Sequence, residues 1–225
     1  MSKIFGKISA TIEKDISLGY VLSHWGPSND KALIVCLHGA GERGMNISRV
    51  VGSCLSTMMP EKHRQDFVVL SPQCPPTEVW EPDAVAYLIN NIVKQHSLDR
   101  SRIYVTGYSM GGRGTWDFAT EYPNIPAAIA PICGFSCYLK ASKIAQMPTW
   151  AFHGANDDIV PVEETYKMVG CMRELGGKPR VTIFKNTGHE GWGTVYSSSL
   201  FYNWSLSNNL NKGNNEQDLV SATAS

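Results

Sequence analysis

A serine flanked by glycines is the feature of this sequence that most directly suggests chemistry. Residues 107–111 read Gly-Tyr-Ser-Met-Gly and fit the pattern G-x-S-x-G, with Ser109 at the centre. An apolar run typical of a strand, 102–106, comes directly before the pattern, and a segment with helical character, 110–122, follows it. A serine on such a sharp turn sits in strained backbone, and side chains at the glycine positions would collide with neighbouring backbone. Ser109 is therefore the candidate nucleophile.

A serine hydroxyl is a weak nucleophile until a neighbouring base takes its proton. In proteins with this kind of turn, an acidic residue and then a histidine follow the serine along the chain. Of the six histidines, His189 is the one that follows both Ser109 and the best candidate acids, and it lies in a glycine-flanked segment, 186–191. The order of residues leaves both Asp157 and Asp158 open as the acid, whose role is to orient the imidazole and stabilise its protonated form.

The tetrahedral intermediate of acyl transfer carries a negative oxygen that needs preorganised N–H donors. In proteins with this pattern, one donor is the backbone N–H of the residue after the nucleophile, here Met110, and the other comes from a loop after an early strand. A glycine-rich loop after an apolar run, 38–44, contains Ala40 as the candidate second donor. Glu42 and Arg43 in this loop either form an ion pair that fixes it or are solvated charges.

The glycine-rich loop lacks the patterns of cofactor sites. It matches neither G-x-x-x-x-G-K-[ST] nor G-x-G-x-x-G, so it predicts neither a phosphate loop nor a dinucleotide site. Cys133 and Cys137 are not spaced as C-x-x-C, and no histidine or cysteine lies at zinc-ligand spacing around them. We therefore expect neither a cofactor nor a metal ion.

Two tryptophans are candidates for the wall of a substrate pocket. Trp80 follows a strand-like run, 66–70, on the same predicted edge of the sheet, and Trp192 follows the candidate base by three residues. Each ring either lines an apolar acyl or aryl pocket or packs in the core. No long insertion separates residues 127 and 149, so we expect no large lid. A short cap within 134–147 is an alternative that the sequence leaves open.

Strand-like segments that alternate with helical ones must position these residues. Continuous apolar runs predict strands buried on both faces, and an apolar stripe at three- and four-residue spacing predicts a helix over 82–96. The other predicted elements are strands over 7–12, 18–24, 32–37, 66–70, 102–106, 127–131, 149–153 and 181–185, and helices over 110–122, 162–175 and 195–206. This order predicts an α/β fold in which helices cover both faces of a mostly parallel sheet with an antiparallel start. We expect one domain over 1–207 and a disordered tail over 208–225, which has no aromatic residue.

The composition argues against several other classes of protein. In 225 residues, 20 Lys plus Arg balance 20 Asp plus Glu, so the net charge gives no support to binding of nucleic acid or anionic membrane. The first ten residues lack the apolar stretch of a secretory signal, and no apolar run is long enough to span a bilayer. The six cysteines permit disulfides, but a domain of this size does not need them. We expect free thiols and a reducing, cytoplasmic location.

Four blocks of the sequence resemble the phospholipase/carboxylesterase group of α/β-hydrolases. The blocks are LHGAGERG at 37–44, YVTGYSMGGRGTW at 104–116, HGANDDIVP at 153–161 and GHEGW at 188–192. They are similar to those of small, lidless esterases with an HGAGERG segment, also described as predicted peptidases because of a distant similarity to prolyl oligopeptidase catalytic domains. The resemblance implies the α/β-hydrolase fold, the acid at Asp157 and the base at His189. It also implies hydrolysis of carboxylic esters with short acyl or aryl groups.

The sequence therefore predicts a serine hydrolase that cleaves a small-molecule ester through an acyl-enzyme at Ser109. A peptidase or an acyl-protein thioesterase with the same triad remains an alternative, because serine, base and oxyanion hole serve all acyl leaving groups. A second alternative is a small-molecule-binding protein of the same fold that has lost the chemistry; the complete triad argues against it.

Overall fold

The computed structural model describes residues 1–11, 15–53 and 55–210. Within these ranges the strands are β1 (Ser2–Thr11), β2 (Asp15–His24), β3 (Ala32–Leu37), β4 (Phe67–Gln73), β5 (Ile103–Tyr108), β6 (Ala128–Ile132), β7 (Trp150–Gly154) and β8 (Arg180–Phe184). They form one sheet in the order β1-β2-β4-β3-β5-β6-β7-β8. β1 pairs antiparallel with β2 and β2 with β4, and every later pair is parallel. The predicted parallel sheet with an antiparallel start is confirmed.

Helices cover both faces of this sheet. In the described ranges they are α1 (Ser48–Ser53), α2 (Leu55–Met58), α3 (Pro82–His96), α4 (Met110–Glu121), α5 (Glu163–Glu174), α6 (Trp192–Tyr196) and α7 (Ser199–Leu206). Buried side chains of α3, α4 and α5 belong to one apolar cluster, and those of α2, α6 and α7 belong to a second. Successive residues of β3 alternate between the two clusters, as the pleat of a strand requires. The sheet is therefore the middle layer of a three-layer α/β fold.

The helix predicted over 82–96 matches α3 residue for residue. Its apolar stripe is at most 5% exposed and consists of Val85, Leu88, Ile89, Ile92 and Val93. Full burial of such a side chain contributes roughly 1.5–3 kcal/mol, so the stripe is what holds α3 on the sheet. Ser97 ends the helix in the left-handed conformation, with φ 50°.

The prediction of one continuous last helix over 195–206 is wrong. The structure has two helices there, α6 and α7, and Ser198 between them has extended backbone, with φ −87° and ψ 123°. The Ser198 side chain accepts a hydrogen bond from the Leu200 N–H at 3.3 Å and so caps α7. The apolar stripe conceals this cap, because residues on both sides of it face the same core. The short helices α1 and α2 were not predicted either.

The start of the predicted tail belongs to the ordered structure. The Asn208 side chain donates to the Trp204 carbonyl at 2.8 Å, and the Leu210 N–H donates to the Ser101 carbonyl at 3.1 Å. The rest of the predicted tail, 211–225, lies outside the described residues.

Among the described residues, no disulfide joins the cysteines Cys36, Cys74, Cys133, Cys137 and Cys171. Cys54 lies outside the described residues. Across the described ranges, none of the helices combines the length and the apolar character that crossing a membrane would need.

Candidate active site

The candidate residues come together because each follows a parallel strand at the same edge of the sheet. Ser109 joins β5 to α4, and Asp157 follows β7. His189 lies between β8 and α6, and Ala40 follows β3. The carboxyl ends of parallel strands share one edge, which is where open α/β sheets bind ligands. Positions spread over 150 residues of sequence thus meet in one place.

The turn at Ser109 is strained, as the sequence predicted. Ser109 has φ 56° and ψ −119°, and its N–H donates to the Ile132 carbonyl at 3.0 Å. A Cβ at Gly107 would lie 2.5 Å from the Leu37 carbonyl oxygen, and one at Gly111 would lie 1.9 Å from it. The expected collision of side chains with backbone is confirmed, and it explains both glycines of the pattern.

Two hydrogen bonds connect Ser109, His189 and Asp157. Ser109 Oγ lies 2.7 Å from His189 Nε2, and His189 Nδ1 lies 2.8 Å from Asp157 Oδ2 and 3.0 Å from Oδ1. With the proton on Nδ1 donated to the carboxylate, Nε2 is free to accept the serine proton. The Asp157 side chain is fully buried, whereas that of His189 is 24% exposed. Asp158 is exposed, so Asp157 is the aspartate that the structure brings to the histidine.

Several donors hold Asp157 in its ionised form. Burial raises the pKa of this carboxyl, but hydrogen bonds from the Val160 N–H, the His189 ring and the Ile159 N–H outweigh it. The two backbone bonds reach Oδ1 at 2.8 Å and 3.0 Å. The pKa of Asp157 therefore lies below its usual value, and the carboxylate stays charged beside the imidazole.

A second histidine supports the acid, and sequence reasoning had set it aside. His153 is buried at the end of β7, and its Nε2 lies 2.8 Å from the Val160 carbonyl and 3.2 Å from Asp157 Oδ2. Its Nδ1 lies 2.8 Å from Thr165 Oγ1. With Nε2 as donor and Nδ1 as acceptor, the ring satisfies three buried groups. Its position four residues before Asp157 could have indicated this role. The order of residues along the chain shows only that His153 is not the base.

The loop of Ala40 lies directly against the serine turn. A Cβ at Gly39 would come within 2.7 Å of the Tyr108 ring, and the Cβ built at Gly111 lies 2.9 Å from the His38 carbonyl oxygen. Met110 opens α4, where first-turn N–H groups have no carbonyl partner within the helix. The structure thus brings the segments of both candidate oxyanion donors to the same edge.

Glu42 and Arg43, for which the sequence left an ion pair or two solvated charges open, each have another partner in the structure. Glu42 Oε1 instead accepts a hydrogen bond from the Tyr108 hydroxyl at 2.5 Å. The Arg43 guanidinium donates to the carbonyls of Ala40 at 3.2 Å and Glu78 at 3.4 Å. The loop is fixed, but by these bonds.

His38 holds the base of the same loop in a defined tautomer. Its Nε2 accepts the Cys74 N–H at 3.0 Å, so the proton lies on Nδ1, which donates to the Gly39 carbonyl at 2.6 Å. Burial lowers the pKa of His38, which keeps the ring neutral. These contacts make His38 a packing and hydrogen-bonding residue of the loop.

The two tryptophans have different positions. Trp80 is 4% exposed; its indole N–H donates to the His38 carbonyl at 3.0 Å, and its ring packs where a Cβ at Gly114 would collide. Of its two interpretations, the structure therefore supports packing and not the pocket wall. Trp192 is half-buried and stacks on the Tyr108 ring, with centroids 4.9 Å apart. It lies beside the serine turn, where it is available to line a pocket.

Cys133 is a neighbour of the triad that the sequence did not single out. Its thiol lies 3.9 Å from the His189 carbonyl, and its sulfur lies within 4.8 Å of ligand atoms of Asp157 and His189. These three types of side chain bind metals in other proteins. Here burial raises the pKa of the thiol to about 12, and the other two residues bind each other. The arrangement therefore suits a hydrogen-bonded triad beside a neutral thiol.

Comparisons with known proteins find a matching family and structures of the same fold. A family model described as the dienelactone hydrolase family matches residues 60–192, more than half of the chain. The chain is 30% identical over 80 residues to the bifunctional acetylxylan esterase/xylanase of Neocallimastix patriciarum, covering 36% of this chain and 12% of that protein. Among solved structures, a thermostable esterase is 30% identical with a TM-score of 0.81, covering 91% of this chain and 63% of that one. The acylaminoacyl peptidase of Pyrococcus horikoshii shares the fold, with a TM-score of 0.65 at 13% identity, over 91% of this chain and 40% of that one.

Proposed function

This chain belongs to the dienelactone hydrolase family, and we propose that it is a serine hydrolase that cleaves carboxylic esters through an acyl-enzyme at Ser109. The observation that carries this proposal is the continuous pair of hydrogen bonds from Ser109 through His189 to Asp157, at 2.7 Å and 2.8 Å. The fold and the 30% identity to a thermostable esterase support it. The chain spans 12% of the acetylxylan esterase/xylanase and 63% of the thermostable esterase.

In the acylation step, Ser109 Oγ attacks the carbonyl carbon of the ester while His189 Nε2 takes the hydroxyl proton. The carbonyl π electrons move to the oxygen and form a tetrahedral oxyanion. When the oxyanion collapses, the ester bond breaks, and His189 returns the proton to the leaving alkoxide. Deacylation repeats these steps with water as the nucleophile. It releases the carboxylic acid and restores the serine.

Asp157 acts through His189 in both steps. Two backbone N–H groups hold Oδ1, and both carboxylate oxygens lie within 3.0 Å of His189 Nδ1, so Asp157 selects the tautomer with the proton on Nδ1. The low pKa of Asp157 keeps it charged when the imidazole becomes positive. The acid stabilises the imidazolium without taking its proton.

The backbone N–H groups of Met110 and Ala40 stabilise the oxyanion in this proposal. Met110 offers a donor from the first turn of α4, whose dipole also favours negative charge there. The Gly39 carbonyl, which shares its peptide group with the Ala40 N–H, accepts a hydrogen bond from His38 Nδ1 at 2.6 Å, and this bond fixes the orientation of that peptide. Such preorganised donors are usually the largest single contribution to acyl-transfer catalysis.

The substrate class in this proposal is a small ester with a short acyl or aryl group. Trp192 presents a half-buried ring beside the serine turn, which suits an apolar or aromatic substituent. Between β6 and β7 the described chain carries a 3-10 segment, Tyr138–Ile144, rather than a long inserted domain. A site without a large cover favours compact substrates.

Turnover of p-nitrophenyl acetate and butyrate, compared with matched thioester and amide substrates, tests this proposal. We expect the esters to turn over fastest and a fluorophosphonate probe to label the wild type but not Ser109→Ala. Turnover of amides alone would show a peptidase instead of an esterase, and preference for thioesters would indicate a thioesterase. Wild-type protein that reacts with neither substrate nor probe would favour a binding protein of the same fold.

A further inference from the structure

One hydrogen bond outside the triad joins the two segments that carry the proposed oxyanion donors. The Tyr108 hydroxyl donates to Glu42 Oε1 at 2.5 Å. We propose that this Glu42–Tyr108 pair sets the separation between the N–H groups of Ala40 and Met110, and that both members are positioning residues for the oxyanion hole. The inference rests on the proposed function, because a positioning role needs an oxyanion to act on.

The pair is placed evenly between the two donors. Glu42 lies two residues after Ala40 in the same 3-10 turn, and Tyr108 lies two residues before Met110 across the strained serine turn. A movement of either side chain is therefore transmitted through two residues of backbone to a donor. Oxyanion stabilisation requires donors at about 2.7–3.1 Å from the developing charge, so small shifts in their separation matter.

Contacts on two sides hold the Tyr108 ring in place. Its face stacks on Trp192 at an interplanar angle of 17°, and a Cβ at Gly39 would come within 2.7 Å of it. Burial and the bond to Glu42 raise the pKa of Tyr108 far above its usual value, so the hydroxyl keeps its proton and remains a donor. The phenol is thus a rigid arm that extends from the serine turn to the loop.

Glu42 carries a cost that packing alone does not explain. Its side chain is only 19% exposed, and in the described part of the chain its buried Oε2 has no hydrogen-bond partner. The nearest histidine nitrogen, His38 Nδ1, lies 3.9 Å away and binds the Gly39 carbonyl instead. An uncharged pair would avoid this cost. A carboxylate acceptor gives a shorter and stronger bond, which suits a role in fixing geometry.

Other bonds of the loop tie it to different partners. Gln73 Nε2 donates to the carbonyls of Glu42 and Asn46, each at 2.9 Å, and so ties the loop to β4. The Arg43 guanidinium binds the Ala40 carbonyl within the loop. The Glu42–Tyr108 bond ties the loop to the residue before the nucleophile, and it therefore relates one donor to the other.

Variants of the pair test this positioning role: Tyr108→Phe, Glu42→Gln and the double change Tyr108→Phe/Glu42→Gln. The measurements are kcat and KM for p-nitrophenyl acetate, the melting temperature, and the Ki of a trifluoromethyl ketone. The adduct of this ketone with a serine carries the oxyanion, so its affinity reports the oxyanion hole. Tyr122→Phe is the matched control, because Tyr122 donates to Asp83 Oδ1 at the same 2.5 Å on the surface.

We expect Tyr108→Phe to lower kcat about tenfold and to weaken the ketone by a similar factor, with KM within about twofold. This effect is smaller than the roughly 10²–10³-fold cost of removing a donor outright, because both donors remain. Glu42→Gln keeps an acceptor oxygen and should lose at most about threefold. The double variant should lose no more than about tenfold, since both changes remove one bond. Tyr122→Phe should match the wild type.

Wild-type kcat and ketone affinity in Tyr108→Phe, even with a lower melting temperature, would show that the bond only stabilises the fold and would overturn the inference. Multiplied losses in the double variant would do the same, because they would show independent roles. Protein that hydrolyses no ester and ignores a fluorophosphonate would overturn the proposed function itself, and the positioning role with it.

Discussion

The candidate site contains two carboxylates with different surroundings. Asp157 lies beside the base, on the acid side, and Glu42 lies in the loop of Ala40, on the oxyanion side. On the acid side, Asp157 has both oxygens engaged, by the backbone N–H groups of Ile159 and Val160 and by His189, with His153 only 3.2 Å away. On the oxyanion side, Glu42 has one oxygen bound to a phenol, and within the described ranges the other has no partner. An ion held by several partners tolerates the loss of one, whereas one held by a single bond does not. The acid side is thus built to keep a charge, whereas the carboxylate of the oxyanion side is held by one hydrogen bond.

Asp157→Asn tests the acid side most severely. The backbone donors at Oδ1 require an acceptor there, so the new amide must direct its NH₂ group toward His189. The imidazole then carries its proton on Nε2 and cannot accept the serine proton. We expect kcat for p-nitrophenyl acetate to fall about 10⁴-fold, as loss of the correct tautomer implies. Steady-state kinetics measure this.

Asp158→Asn is the control for this change. Asp158 is exposed and adjacent in sequence, so its variant should keep the activity of the wild type within about twofold. A large loss in Asp158→Asn with little loss in Asp157→Asn would show that the acid is assigned to the wrong residue.

His153→Phe measures how far the acid side depends on its second histidine. The change leaves the Val160 carbonyl and the Thr165 hydroxyl buried without their ring partner. We expect the free energy of unfolding to fall by about 2 kcal/mol, since each orphaned group costs about 1–3 kcal/mol less any relaxation. The activity should fall only about tenfold, because Asp157 keeps its backbone donors. Urea denaturation and kinetics on one preparation give both numbers.

Thr165→Val provides the graded comparison for His153→Phe. It removes one hydroxyl while keeping the ring, so we expect a loss near 1 kcal/mol and nearly unchanged kcat. If His153→Phe had the same free energy of unfolding as the wild type, the hydrogen bonds of His153 would not stabilise the acid side. The contrast between a carboxylate held by several partners and Glu42, held by one, would then disappear.

The sequence predicted the residues of the triad because each one follows a strand and a glycine or an aspartate marks its turn. Ser109 was predicted from the G-x-S-x-G pattern between a strand and a helix, His189 from its order along the chain, and the sheet from the order of elements. The sequence did not predict which side chains contact one another. Tyr108 and Glu42 are 66 positions apart, and their bond depends on the directions of two side chains. Trp80 illustrates the same limit, because its position after a strand does not reveal whether the ring faces a pocket or the core.

The ionisation of Asp157 makes the stability of the acid side depend on pH. Its folded-state pKa lies below the unfolded value of about 3.9, so its contribution is present above that pH and is lost as the pH falls through the folded pKa. The free-energy difference between wild type and Asp157→Asn should therefore be largest near neutral pH and shrink below about pH 4. Urea titrations from pH 7 to 3 measure it. A constant difference over this range would contradict a depressed pKa.

Modification of cysteines should have the smallest effect on activity, because Cys133 lies beside the acid side but its thiol is neutral. Burial raises the pKa of its thiol to about 12, so at pH 7 almost none of it is the reactive thiolate. Cys137, four residues later, is exposed. We expect iodoacetamide at pH 7 to alkylate Cys137 before Cys133, with esterase activity kept within about twofold, as peptide mass spectrometry and a parallel assay would show. Alkylation of Cys133 at the same rate as inactivation would mean that the acid side opens to solvent, and would remove the distinction between a closed acid side and a Glu42 carboxylate held by one bond.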